Sequence, residues 1–414
     1  MSGGEDEGPE VLDGEKLAEL GTRLCAFLGG GSETPGAGTT PPPEPTPAPP
    51  VDGGEALRLL GECFNAQLFS AAGFRQAFGG PLARTAAGEH LCARALLALL
   101  VGASEGAMAE SAAESGFRAA TFDVSACTHV PGAEVLAAMR AVGTAHVTRL
   151  VLANMGGATP AEAAELAGLV PALTALDCAF TGLDGAALDA LLAHLTAPLH
   201  ALRLAGCRVL APAHLRHPAV RGVAVLDISC CDGGDSTSTI SAAVAKEVFG
   251  RLGALEELDA SWAGVPGDAV KRVASRALRA LRLAGSSVNE SVLHRVVRAE
   301  PRLAELDLRA CAALRYTPKL LGALAHVECL TLGGGPLDAA TVGAVCRAAP
   351  ALTHLALVSC AGLTTDFAPD LARCTHVRDL TVVFCPLIDD NAVRVLDSVL
   401  PDGATLHHAA SDTI

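Results

Sequence analysis

One pattern constrains this chain more than any other. An apolar residue, two of any kind, a second apolar residue, one of any kind and a third apolar residue recur eleven times between residues 119 and 385. The copies begin with Ala119-x-x-Phe122-x-Val124-x-x-Cys127, Val147-x-x-Leu150-x-Leu152, Leu173-x-x-Leu176-x-Cys178 and Leu199-x-x-Leu202-x-Leu204-x-x-Cys207. They continue through Val223, Leu255, Leu278, Leu303, Val327 and Leu352 to Val377-x-x-Leu380-x-Val382-x-x-Cys385, with successive starts 23 to 32 residues apart. A segment of that length holds one short strand and one return helix, such as Asp184 to His194 or Asp389 to Leu400. It cannot bury its leucines alone, so neighbours must stack into one continuous core. The expected fold class is an α/β solenoid of about eleven strand-helix repeats, with a parallel concave sheet and the helices outside. Leu406 onward would supply a frayed final strand.

The rest of the chain divides by composition. Residues 1–54 hold an acidic start, a short helical pattern from Leu12 to Leu28 and a Pro/Gly/Thr-rich stretch from Gly29 to Gly54, which is too poor in apolar residues to offset its ordering entropy. Residues 55–115 carry Leu57, Leu60, Phe64 and Leu68, then Leu91, Ala95, Leu96 and Leu99, at helical spacing, and read as a helical cap or adaptor module ahead of a repeat domain over 116–414. The longest start-to-start spacing, 32 residues, carries an excess at Asp232 to Thr239 that reads as a loop insertion.

The apolar run Ala93 to Gly102 is half of what a spanning helix needs, and the N-terminus lacks the basic and apolar regions of a secretory signal. A cytoplasmic or nuclear setting, with no membrane partner and reduced cysteines, is therefore expected. A net charge of -15 and 3% aromatic residues disfavour nucleic acid, which asks for a basic stripe and stacking platforms.

The strand-ending cysteines Cys127, Cys207, Cys231, Cys311, Cys360 and Cys385, the turns Leu363-Thr364-Thr365-Asp366 and Ile388-Asp389-Asp390, and Cys374 ahead of the last copy together resemble the cysteine-containing leucine-rich repeat. Copies with Thr181, Ala263, Ser286 or Gly335 at the cysteine position depart from it. The resemblance covers residues 119 to 400. It implies kinship with F-box/leucine-rich-repeat or elongin-type substrate receptors of cullin ubiquitin ligases, with a Skp-type or elongin adaptor on residues 55–115. Gly80-Pro81-Leu82 to Leu100 stands where the proline-led helix of an F-box would be. Leu59-x-x-x-Cys63 has the spacing of an elongin box, with Gln67 where that motif takes an apolar residue. The alternative is a stand-alone interaction or inhibitor module.

No local catalytic signature, cofactor fingerprint or metal-ligand spacing is present. Each cysteine lies one repeat from the next, Gly333-Gly334-Gly335-Pro336 has no following Gly-Lys-Ser/Thr, and no nucleophile elbow occurs. The chain is therefore expected to be no enzyme and to use no cofactor. The strand residue between the second and third apolar positions points away from the core, because side chains alternate. Asp177, Arg203, Asp227, Asp259, Arg282 and Asp307 hold that position, Glu257 lies two residues earlier in its strand, and Phe180 and Trp262 lie three residues later in theirs. These nine residues are the candidate protein-binding site: an acidic ladder for a basic or mixed-charge partner, with Phe180 and Trp262 as anchors.

Overall fold

A computed structural model describes residues 53–70, 93–104, 115–207, 212–231, 249–273, 275–334 and 337–409, together with Leu24, Ala72, Phe74 and Lys246. The expected helix over Leu12 to Leu28, the stretch after it as far as residue 52, the F-box-like Gly80-Pro81-Leu82, the Asp232–Thr239 insertion and Gly335-Pro336 lie outside the described residues, Leu24 excepted. Two compact units are present, 1–197 and 198–414.

In the first unit, helix α1 (Gly53–Asn65) packs on α2 (Ala93–Ser104), and both meet α3 (Gly132–Val142), the return helix of the first repeat. Three parallel strands follow the repeat: β1 (Thr121–Asp123), β2 (Arg149–Val151) and β3 (Ala175–Asp177). Their central residues Phe122, Leu150 and Leu176 are in register and buried. α1 closes the free edge at β1. The Phe64 ring stacks on Phe122 at 4.2 Å and touches Phe69 and Phe117 at 5.0 and 5.9 Å. Beside it, the Asn65 side chain accepts from the amides of Arg118 and Ala119 at 2.8 and 3.1 Å and donates to the Gly116 carbonyl at 2.9 Å. An unpaired strand edge would otherwise present bare backbone groups. Leu59 and Cys63 are both buried in this cap.

The second unit holds nine parallel strands: β4 (Ala201–Arg203), β5 (Val225–Asp227), β6 (Glu257–Asp259), β7 (Ala280–Arg282), β8 (Glu305–Asp307), β9 (Cys329–Gly333), β10 (His354–Val358), β11 (Asp379–Val383) and β12 (Thr405–Ala409). Leu202, Leu226, Leu258, Leu281, Leu306, Leu330, Leu355 and Leu380 stand in register from strand to strand and form the spine of the core, and Leu406 continues the register half-buried. The described residues thus carry twelve strands, one more than the repeat pattern gives, because the segment after Leu400 forms a full strand paired with β11. The helical returns start where the sequence offers caps. Asp184 accepts from the Ala187 amide at 2.7 Å, Asp389 does the same for Ala392 at 2.8 Å, and Thr159 and Glu162 form a reciprocal capping box.

The strand-ending cysteines pack as small apolar groups whose thiols donate backward. Cys231, Cys311 and Cys385 give hydrogen bonds to the carbonyls of Leu204, Leu283 and Leu357, each in the preceding repeat, at 3.0, 3.3 and 3.5 Å. Burial pushes the Cys231 thiol up to about 12, which removes it from thiolate chemistry at neutral pH.

Glu300 breaks the pattern of the core. At the place where other return helices end on Val170 or Ala349, each followed by proline, this repeat carries a fully buried carboxylate. Burial raises its pKa above the ordinary glutamate value, against the lowering effect of the Leu278, Ser275 and Arg276 backbone it faces and of the Arg276 charge, and neither oxygen reaches full hydrogen-bond geometry. An acid whose folded pKa exceeds its unfolded one holds its proton more tightly when folded. Its contribution is therefore fullest below the unfolded value and is lost as pH rises through the raised one. Glu300→Gln should accordingly raise the melting temperature at pH 7, and the gain should vanish near pH 4. Thermal scans of both proteins across that range check it, and a gain that is equal at both pH values would contradict it.

Candidate protein-binding face

The strands from β2 to β11 each lead into a turn with a fixed backbone plan. The third residue after the outward ladder position takes a left-handed conformation in ten successive repeats: Asn154, Phe180, Gly206, Cys230, Trp262, Gly285, Ala310, Gly334, Ser359 and Phe384, with φ between 54° and 70°. Within the second unit the amide of this residue continues the ladder to the next repeat, as in Cys230 to the Ser261 carbonyl and Trp262 to the Ala284 carbonyl, both at 2.8 Å. The position has one solvent-facing side chain and an obligatory backbone bond. Glycine suits it best, and a bulky residue there carries a conformational cost.

The ladder aspartates serve this turn. Asp123, Asp177, Asp227, Asp259 and Asp307 each accept from the amide two residues on, at 2.8 to 3.0 Å. Such a bond is the usual service of aspartate at a turn. The ladder is therefore first a backbone device, and its charge is what remains available at the surface.

The second unit brings Arg203, Asp227, Asp259, Arg282 and Asp307 onto consecutive strands β4 to β8, with Glu257 on the same face and Trp262 at the end of β6. Asp177 and Phe180 belong to the first unit, where Phe180 is 59% exposed. Two of the charges are neutralised in place. Arg282 forms an ion pair with Glu305 at 2.6 Å, and Arg309 donates from Nε and Nη2 to Asp307 Oδ2 at 2.9 and 2.6 Å. Asp307 is only 5% exposed, so its charge is spent inside the protein. Arg309 and Glu305 were outside the candidate set, although their positions on the ladder face were readable from the repeat register.

Asp227, Glu257 and Asp259 make no ion pair among the described residues. Burial raises the Asp259 carboxyl, and the Asp227 charge adds to this, against the lowering effect of the Ser261 amide and hydroxyl and of Arg282. Beside these carboxylates stands Trp262, 51% exposed, with its ring laid across the next glycine of the turn column. A Cβ on Gly285 would come within 2.2 Å of Trp262 Cε3. The anchor is thus fixed in place by a glycine that leaves room for it, while half its surface faces solvent. Side chains held in one orientation lose less entropy on binding.

No family model matches the sequence, and no curated protein matches it either. Among solved structures, the yeast complex of Rad7 and Elc1 aligns over 87% of this chain and 94% of its counterpart, with a TM-score of 0.52 and 14% identity. The chain has the leucine-rich-repeat fold. An octameric complex of Latrophilin 3, Unc5D and the leucine-rich-repeat protein FLRT2 also aligns, over 68% of this chain at a TM-score of 0.37 and 15% identity. In the leucine-rich-repeat frame, Cys231, Cys311, Cys360 and Cys385 occupy one repeated place behind the strand, and Trp262 and Phe384 one repeated place at its end. No described helix is long and apolar enough to cross a membrane.

Proposed function

We propose that this leucine-rich-repeat chain is a scaffold, not an enzyme, that captures a basic or mixed-charge protein on the open face of its second unit. Trp262 acts as the anchor, and Asp227, Glu257 and Asp259 supply the complementary field. The observation that carries the reading is the half-exposed Trp262 ring, seated on Gly285 beside three carboxylates that make no ion pair among the described residues. Interfaces concentrate their energy in such aromatic anchors, and charge complementarity sets selectivity and association rate.

The ligase role is the finer part of the proposal. The resemblance to cysteine-containing repeats of substrate receptors and the likeness to Rad7, solved with a second chain, Elc1, both support it. A Skp-type or elongin adaptor, and through it a cullin, would engage the N-terminal helical segment. Leu59 and Cys63 are buried in the helical cap, which argues against their being the residues an elongin would grip. A stand-alone interaction module is the second reading.

The test uses the full chain as bait. Trp262→Ala should weaken the captured partner by about 2–4 kcal/mol, a loss of thirtyfold or more. Asp227→Asn with Asp259→Asn keeps the turn-holding oxygens while deleting both charges, and should slow association most at low salt. Capture unaffected by both variants would remove the proposed face. Adaptor and cullin in the same eluate favour the receptor, and partner without either favours the free-standing module.

A further inference from the structure

The start of three consecutive strands in the second unit holds an arrangement that the scaffold reading does not use. Cys329, His354 and Asp379 are the first residues of β9, β10 and β11 and are register partners, so the parallel sheet lines them up in one row. Cys329 Sγ lies 3.5 Å from His354 Nδ1, and His354 Nε2 lies 2.8 Å from Asp379 Oδ2. The Thr353 hydroxyl, 2.8 Å from Nδ1, helps fix the ring. Nε2–H donated to the carboxylate leaves Nδ1 an acceptor within reach of both the Thr353 hydroxyl and the Cys329 thiol, and the hydroxyl has a second acceptor in the Glu328 carbonyl at 3.1 Å, which frees the Nδ1 lone pair for sulfur. A nucleophile within reach of a base that a third group orients is the arrangement used to activate thiols. The row lies on the open face: His354 and Asp379 side chains are 50% and 36% exposed, and Cys329 is half-buried. A cleft of about 590 Å³, lined by Glu328, Thr353, Arg378, Asp379 and Thr405 among others, opens beside it.

Two other uses fail on geometry. The sulfur and the carboxylate sit on opposite sides of the imidazole and converge on no common point, so the row is not a metal site. The amides of Cys329, His354 and Asp379 are all spent on ladder bonds to Ala304, Glu328 and Thr353, so these residues offer no amide to a developing oxyanion and acyl transfer lacks that support. Attack on a disulfide creates no oxyanion.

We propose that Cys329, His354 and Asp379 form a base-assisted thiol site that exchanges with disulfides of neutral or cationic thiols. Sulfur of Cys329 attacks one sulfur of the disulfide as its proton passes to His354 Nδ1. The Cys329–sulfur bond forms and the old disulfide bond breaks. The departing thiolate takes the proton back from His354, so the incoming disulfide is the oxidant and its released half is the reduced product. Asp379 is a positioning residue. Burial and the nearby charges of Glu305, Glu328 and Asp379 hold the Cys329 thiol above its ordinary range, against the lowering hydrogen bond of Thr353. Spontaneous ionisation is thereby suppressed, which makes the base matter, and the same carboxylates repel an anionic disulfide.

Cys230 is the built-in control: it is more exposed, faces Asp227 and Asp259, and has no such base beside it among the described residues. The full-length protein is treated with cystamine, and the adducts on Cys329 and Cys230 are followed in one sample by peptide-mapped mass spectrometry. Cys329 should react faster than Cys230 despite its lesser exposure. His354→Ala should slow Cys329 by about tenfold or more and leave Cys230 unchanged, and Asp379→Asn should slow it in the same selective way. Glutathione disulfide, an anion, should react more slowly than cystamine at low salt, with the gap narrowing as salt is added. Faster reaction at Cys230, an unchanged Cys329 rate in His354→Ala, or equal slowing at both cysteines would overturn the proposal.

Discussion

Phe64→Ala should destabilise the first unit by about 3–5 kcal/mol, the cost of removing a large buried ring from a packed cluster. Phe64 is 1% exposed and meets Phe69, Phe117 and Phe122, and through Phe122 it is the link between α1 and the first strand. The loss would not stay local. With the ring gone, α1 has less to hold it, Asn65 moves off the Arg118 and Ala119 amides, and the edge of β1 opens. Denaturant unfolding of the full chain should show an early transition for the first unit, with added binding of a hydrophobic dye. A single transition at the wild-type midpoint would mean that α1 is decoration, free to leave for an adaptor.

Gly333→Ala is expected to cost about 3 kcal/mol or more, in the class of severe backbone conflicts. Gly333 has φ of 151°, and an added Cβ would lie 1.7 Å from the Val358 carbonyl oxygen, on the strand with which β9 pairs. Backbone cannot yield as a flexible side chain can, so β9 and β10 must separate locally. That also pulls Cys329 from His354, and the selective reactivity of Cys329 should fall with the stability. Hydrogen exchange would localise the damage: lost protection should centre on β9 and β10, and protection unchanged there would contradict the account.

How much of this could be seen in the sequence follows from what a repeat makes periodic. The spacing of Leu226, Leu258 and Leu281 announces strand, turn and helix together, so the fold, the strand register and the place of Trp262 were all readable. Pairwise chemistry was not. The ladder position of Asp307 suggests a solvent-facing charge, yet Arg309, two residues on and on the same face, closes over it. A local partner of that kind alters burial without altering the period. The left-handed turn that follows the aspartates' bonds to the amides two residues on is half hidden in the sequence, because Trp262 and Phe180 stand where glycine would have signalled it. Cys329, His354 and Asp379 escape any local motif, being 25 residues apart each time. Only stacking the repeats in register places them side by side. Glu300, where the same position elsewhere holds Val170 or Ala349, was visible as an oddity of the repeat.

Trp262 is the only tryptophan of the chain, so intrinsic fluorescence reads the proposed contact with no label. The free protein should emit as a half-exposed indole and be quenched readily by acrylamide. Titration with the partner recovered on the full-length bait should shift the emission to the blue and shield it from quenching, at the same midpoint that binding shows by an independent method. Saturating partner that leaves the emission and the quenching of Trp262 untouched would place the binding face elsewhere on the molecule.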